Sequence, residues 1–290
     1  MWPFHLIDRL ENASALDAVA ARIKPVVEKA TSNRTVTDAL HGVWLGHPLH
    51  PVLVQVPVGA WTSAAVLDAV PAMRPAAGLL IGVGIAGAAP AIASGWTDWS
   101  QQDTQQQRTG VVHAIGNTIA LTLYAGSLYA RRRNRVGVGA ALAYTGYAVA
   151  AASATIGGHL AYRQAAGPSH AVPHAEIAPA DWTDIGALSD LPDGTPGSAR
   201  LGEVDLLVVR RGQQVDVLVD RCSHASAPLH EGELVTERGR LCIACPWHGS
   251  VFDVQTGRAV HGPATAPQPA LDVRVEDGRV RVRLPGLSLG

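Results

Sequence analysis

The chain has 290 residues, a formal net charge of -1 and only 16% charged residues. No basic excess marks a nucleic-acid surface, and three cysteines are too few for a disulfide framework. The length suggests two domains, and the apolar residues crowd between positions 52 and 162.

Residues 1–45 read as an N-terminal amphipathic helical segment. They lack the basic start, apolar run and small-residue cleavage site of a signal peptide. Between positions 14 and 31, Leu16, Val19, Ala20, Ile23 and Val27 share one helical face, while Asp17, Arg22, Lys24, Glu28 and Lys29 lie elsewhere. Pro25 predicts a kink or an interruption. The pattern fits a helix packed on the rest of the protein and equally one lying on a membrane surface.

Residues 46–164 read as a four-span membrane bundle. Apolar segments at 52–70, 76–96, 111–130 and 136–162 each approach the ~20 residues that a helix needs to cross the hydrocarbon. Gly78 and Gly82 form a small-residue pair suited to close helix contact. Pro57 and Pro90 fall inside spans, which membrane helices tolerate. The charge sits in the connections, which argues against a water-soluble bundle. With four spans, His47, His50, Asp98, His113 and His159 fall at one end of the bundle, and Arg74, Arg131, Arg132, Arg133 and Arg135 at the other. The positive-inside rule then makes the arginine end cytoplasmic and turns the histidines and the C-terminal domain outward. His47, His50, His113 and His159 are expected to converge there. They are candidates for holding a haem b or a quinone, with a plain structural anchor as the alternative.

Residues 165–180, with Gly167, Pro168 and Pro173, read as a linker in which His170 and His174 are solvated. From 181 to 286 short strand patterns dominate. Runs at 206–209 and 215–219 flank Arg211-Gly212-Gln213, and runs at 273–275 and 280–282 flank Asp277-Gly278, a strong hairpin signal. The expected fold is an all-β antiparallel sandwich following the α-helical bundle.

Two loops of that sandwich carry Cys222-Ser223-His224 and Cys245-Pro246-Trp247-His248. Thiolate and imidazole together suit zinc or an iron–sulfur cluster. One Cys and one His per loop suits a two-iron cluster, with Cys222 and Cys245 on one iron and His224 and His248 on the other. The stretches Cys222 to Leu229, Gly232, Cys245 to Asp253 and Thr256-Gly257 resemble Rieske domains of the ferredoxin type, which serve bacterial ring-hydroxylating dioxygenases. The similarity runs over 182–284. Cys242 reads as a small buried residue.

The Rieske resemblance implies a [2Fe–2S] cluster that moves one electron at a time, with the ligand rings exposed at the sandwich tip. Relatives in cytochrome bc complexes carry a disulfide between the cluster loops, but Ala227 and Trp247 stand at those positions here. Those relatives also place a Ser and a Tyr near the cluster sulfurs. Ser250 matches the first and Phe252 replaces the second, so a potential below that of bc-type centres is expected. Separately, His47-Pro48-Leu49-His50-Pro51 and the following spans resemble a family of small bacterial membrane domains of unknown function.

The resulting expectation is an electron-transfer protein tethered in the bacterial inner membrane. It would be a component of an oxidoreductase rather than a complete enzyme, serving a redox partner protein or the membrane quinone pool. The alternatives are a quinol- or haem-linked oxidoreductase subunit and a redox sensor. A terminal oxygenase would need a further iron site with two His and a carboxylate, for which the length leaves no domain.

Overall fold

A computed structural model describes residues 4–285. The first three residues and the last five lie outside it, including Gly286 at the expected edge of the C-terminal domain. The chain forms two compact units. One comprises Met1–Val36 and Leu49–Ala166, the other Thr37–Pro48 and Gly167–Gly290.

The first unit is helical: α1 (Phe4–Glu11), α2 (Asp17–Ala30), the start of α3 (Arg34–His41), α4 (His50–Leu53), α5 (Gln55–Asp68), α6 (Arg74–Trp99), α7 (Thr104–Arg132) and α8 (Val136–Tyr162). The amphipathic helix α2 packs on the bundle. Its Ala20 is buried with Trp99 and Val111, and Leu16 and Ile23 join them. Arg108 of α7 donates to both carboxylate oxygens of Asp17, at 2.6 and 2.7 Å. Pro25 is held inside α2, which continues through it.

Among the described residues, three helices are long and apolar enough to cross a membrane: Pro71–Trp99, Thr104–Arg132 and Val136–Tyr162. The first expected span differs. Its apolar run is divided at Val54 into α4 and the 14-residue α5, so neither piece alone reaches crossing length. Pro57 explains the break, because it has no N–H to donate to Leu53 O one turn back, whereas Pro51 sits in the first turn of α4, where none is needed.

The bundle contains an internal repeat that joins α4–α5–α6 to α7–α8. His50 and His113, Trp61 and Tyr124, and Asp68 and Arg131 stand at one constant interval in the sequence, and each pair meets in space. The two histidine rings lie 6.5 Å apart. Trp61 stacks on Tyr124 at 4.2 Å. Arg131 Nη2 donates to Asp68 Oδ2 at 2.5 Å. Equivalent positions can touch at three successive levels only if the two helical stretches run in the same direction about a pseudo-two-fold axis along their length. In the second helix of each half, Ala91 corresponds to Ser153 and Gly95 to Gly157, at an interval one residue shorter.

The second unit is a β-sandwich. Strands β1 (Thr183–Ala187), β2 (Pro196–Leu201), β3 (Val204–Arg211), β4 (Gln214–Val219), β9 (Ala270–Glu276) and β10 (Arg279–Arg283) form an antiparallel sheet in the order β1-β10-β9-β4-β3-β2. Strands β5 (Glu233–Glu237), β6 (Arg240–Ala244), β7 (Val251–Asp253) and β8 (Ala259–His261) form a smaller sheet in sequence order. Both hairpins anticipated from sequence are present, β3–β4 and β9–β10. In β3 the two-residue period serves two cores: Leu206 and Val208 face Leu201, Val219 and Val280, while Leu207 and Val209 face Leu229, Ile243 and Phe252. The second core carries the cysteine loops.

The 165–180 stretch holds a short helix, α9 (Val172–Glu176), and Ala175 and Ala178 pack against the sandwich core. The Thr37–Pro48 strap belongs to the same unit. Asp38 accepts from His261 Nδ1 at 2.7 Å and from the Gly262 amide at 2.9 Å.

Candidate iron–sulfur centre

The two cysteine loops close by the same pair of backbone bonds. In the first, the Cys222 amide donates to Ala227 O at 2.8 Å and the Ser226 amide to Cys222 O at 2.9 Å. In the second, the Cys245 amide donates to Ser250 O at 2.7 Å and the Gly249 amide to Cys245 O at 3.1 Å. Each loop turns through a left-handed residue four places after its cysteine: Ser226 at φ 62° and Gly249 at φ 68°. The two loops are therefore near copies that present a Cys and a His apiece.

A third loop joins them. The Ala264 amide donates to Ser250 Oγ at 2.9 Å, and Ser223 Oγ donates to Ala266 O at 2.9 Å. Gln268, 1% exposed, braces the first loop: its Oε1 accepts from the Ser223 amide, and its Nε2 donates to Val219 O and Arg221 O. Asp220 accepts from the His230 amide and from His230 Nδ1, at 2.8 and 2.7 Å. Sequence reasoning missed Gln268, Asp220 and His230. A lone buried glutamine forty-five positions from its partner leaves no local pattern.

The four expected ligands come together. Cys222 and Cys245 are buried as neighbours, and the His224 and His248 ring centroids are 4.9 Å apart at 87°. Among the described residues, the Nδ1 of His224 is buried with no hydrogen-bond partner. Burial, reinforced by the neighbouring His248, pushes the His224 pKa down to about 3, so that ring stays neutral. The hydrogen bond between the thiols lowers Cys245 and raises Cys222. A neutral imidazole with a buried, unused nitrogen and a thiol biased towards thiolate are the forms that bind metal. These residues fit a [2Fe–2S] cluster.

The surroundings differ from expectation in two respects. The ligand rings are half-buried rather than exposed, and Trp247 is the outward group at 58% exposure, edge-on to His248. His170, expected in a solvated linker, donates its amide to Ser223 O. His41 of the strap lies close enough to contribute to the depression of His224. Ser250 is fully buried and Phe252 fills the core behind the loops. Cys242 is buried as expected.

The bundle histidines do not gather as one group. His50 and His113 meet, whereas His159 hydrogen-bonds Glu11 Oε1 at 2.7 Å. His47 lies in the strap, where its Nδ1 donates to Pro48 O at 3.1 Å. Helix-end parity fixes which end of a bundle a residue occupies but not its direction around the helix.

Residues 181–276 match the Rieske [2Fe-2S] domain family. The chain is 32% identical over 109 residues to the anthranilate 1,2-dioxygenase ferredoxin subunit of Burkholderia cepacia, covering 97% of that protein and 38% of this one. The chain belongs to the Rieske [2Fe–2S] family. The Rieske domain is also 37% identical over 102 residues to ferredoxin CarAc of Metapseudomonas resinovorans, covering 92% of it and 35% of this chain. Among solved structures, the ferredoxin of carbazole 1,9a-dioxygenase from Nocardioides aromaticivorans IC177 aligns at 33% identity with a TM-score of 0.33, covering 98% of that chain and 36% of this one. Ahead of the Rieske domain, residues 46–169 match a predicted membrane protein family, DUF2231.

Proposed function

We propose that this Rieske protein is a membrane-tethered electron carrier that passes single electrons between a donor and a redox partner protein. Cys222 and Cys245 would hold one iron, and His224 and His248 the other. The observation that carries this reading is the convergence of two thiols and two imidazoles on twin loops, with the His224 Nδ1 buried and unsatisfied. When bound, the cluster supplies a one-electron couple whose potential histidine ligation raises above that of all-cysteine clusters. The chain's residues do the rest. The twin loops fix ligand geometry, the core around Phe252 excludes water, and exposed Trp247 beside His248 offers an apolar contact for a docking partner.

Two named relatives are ferredoxins, one of them a dioxygenase subunit, and this supports a protein partner on the electron-accepting side. The membrane unit supports a donor from the bilayer, either the quinone pool or a haem-bearing component. We read the bundle as four crossings. The repeat makes the α4–α5 stretch the counterpart of α7, and His50 to Asp68 extends over roughly 27 Å at helical rise, close to the hydrocarbon thickness. The arginine-rich end, with Arg74 and Arg131–Arg135, is assigned to the cytoplasmic face of a bacterial inner membrane. That places the chain's entry to α4 and its exit from α8 on the outer side.

The test is electron paramagnetic resonance and metal analysis on full-length protein purified anaerobically in detergent. The expected result is two irons per chain and the low average g value of mixed His and Cys ligation, lost in His224→Ala and His248→Ala. Tetrahedral zinc without iron would overturn the reading.

A further inference from the structure

Of the three pairs on the pseudo-two-fold axis of the bundle, two are complementary. Trp61 and Tyr124 stack, and Asp68 and Arg131 form an ion pair. The third sets two identical Lewis bases against each other, His50 and His113, which offer one another no comparable attraction. Their rings lie 6.5 Å apart, with planes at 84°.

Both rings are oriented by the same device. His50 Nδ1 donates to Ala91 O of α6 at 2.8 Å, and His113 Nδ1 donates to Ser153 O of α8 at 2.8 Å. A carbonyl can only accept, so each Nδ1 carries the proton and each Nε2 keeps its lone pair. One helical turn beyond each carbonyl stands a glycine. A Cβ on Gly95 would come within 2.8 Å of the His50 ring, and one on Gly157 within 2.9 Å of the His113 ring. Each half of the repeat thus supplies an imidazole, a carbonyl that fixes its tautomer and a glycine that lets it lie against the neighbouring helix. Metal-binding histidines are typically held by this kind of Nδ1–H to carbonyl bond.

We propose that His50 and His113 would together hold one metal centre within the bundle. The shared chemistry is one metal ion between two imidazole Nε2 atoms, supplied either by the iron of a b-type haem or by a bare copper(I) ion. Two metal–imidazole bonds of about 2 Å, added to the ring radii, span roughly 6 Å between ring centres. The observed 6.5 Å matches that span. Asn117 donates its amide to His113 Nε2 at 3.0 Å and would turn aside when the metal binds. His159, engaged by Glu11, has no part in the site. The inference rests on the bundle alone and stands or falls independently of the iron–sulfur centre.

The experiment uses full-length protein in detergent, with the Rieske resonance recorded in every sample so that failure of one centre is distinguishable from failure of the other. Hemin and cuprous ion are titrated separately. The expected result is saturation by one of them at one per chain: for hemin, a Soret band with the spectrum of bis-imidazole haem; for copper, stoichiometric retention through desalting. Affinity should fall at least a hundredfold in His50→Ala and in His113→Ala and stay unchanged in His159→Ala. The His113→Gly variant should recover binding when imidazole is added, an effect that a misfolded bundle would not give. If neither probe saturates, or if binding survives both alanine variants, the proposal is wrong.

Discussion

Ser250 shows how one side chain serves the loops and the electronics together. Its Oγ already accepts from the Ala264 amide at 2.9 Å, so the hydroxyl proton remains to be directed elsewhere. Ser250 is buried at 0% exposure and its carbonyl accepts from the Cys245 amide, so with the cluster bound that proton would be available to its sulfur. Phe252, also at 0%, contributes only packing where a Tyr would add a second donor. One hydrogen bond to the reduced, more negative state is worth about 1 kcal/mol, on the order of 50 mV for a one-electron couple. Ser250→Ala should therefore lower the reduction potential by about that amount, and Phe252→Tyr should raise it. Protein-film voltammetry on the cluster-loaded protein measures both. Equal potentials in all three proteins would remove hydroxyl donation as the tuning device. The cluster motif was legible from sequence because its ligands are local and their chemistry restricts residue type. The bracing Gln268 was not, because any position reaching Val219 O and Arg221 O would have served.

At the level of elements, the apolar runs fixed where the helices lie, while their pairing had to come from the structure. The repeat escaped the sequence reading because only one of its three axial pairs is identical in type. Trp with Tyr and Asp with Arg are related by what they do together rather than by resemblance. The charge at the arginine end illustrates this. Arg131 was read simply as part of a cytoplasmic-facing run, yet its guanidinium turns inward to Asp68, whose side chain is fully buried. Arg131 Nη1 also donates to Arg74 O, and Arg74 Nε donates to Asp68 O, so the ion pair knits α5, α6 and α7. Removing one partner strands a buried charge, at a cost of about 3–5 kcal/mol. Arg131→Met should lower the unfolding temperature of the detergent-solubilised bundle markedly. Asp68→Leu combined with Arg131→Met should recover most of that loss, because an apolar pair leaves nothing unpaired. A double variant no more stable than the worse single one would show that the pair's hydrogen bonds to backbone, rather than its charge balance, hold the three helices.

For the whole molecule, the order of residues along the chain and the membership of the two units do not coincide. The composition shift near residue 165 suggested a bundle followed by a sandwich. The chain instead changes unit three times, since Thr37–Pro48 belongs with the sandwich while the residues on both sides belong with the helices. The reason lies in side chains that a composition scan cannot weigh. Asp38 holds both His261 Nδ1 and the Gly262 amide, and a Cβ on Gly262 would meet the ring of buried His41 at 3.0 Å. His261 Nε2 is in turn within 3.4 Å of Glu237. The Rieske unit is thus fastened to the chain at two places, covalently after Ala166 and non-covalently through the strap. A single engineered protease cut between Ala165 and Gly167 should therefore leave the coloured head bound to the membrane fraction. Asp38→Ala removes the acceptor for two donors at once and should let the cut head wash off in soluble form. Chromatography after cleavage, followed at the cluster absorbance, separates the outcomes. If the cut alone frees the head, the strap contacts are too weak to hold it and the 165–180 segment is the sole tether.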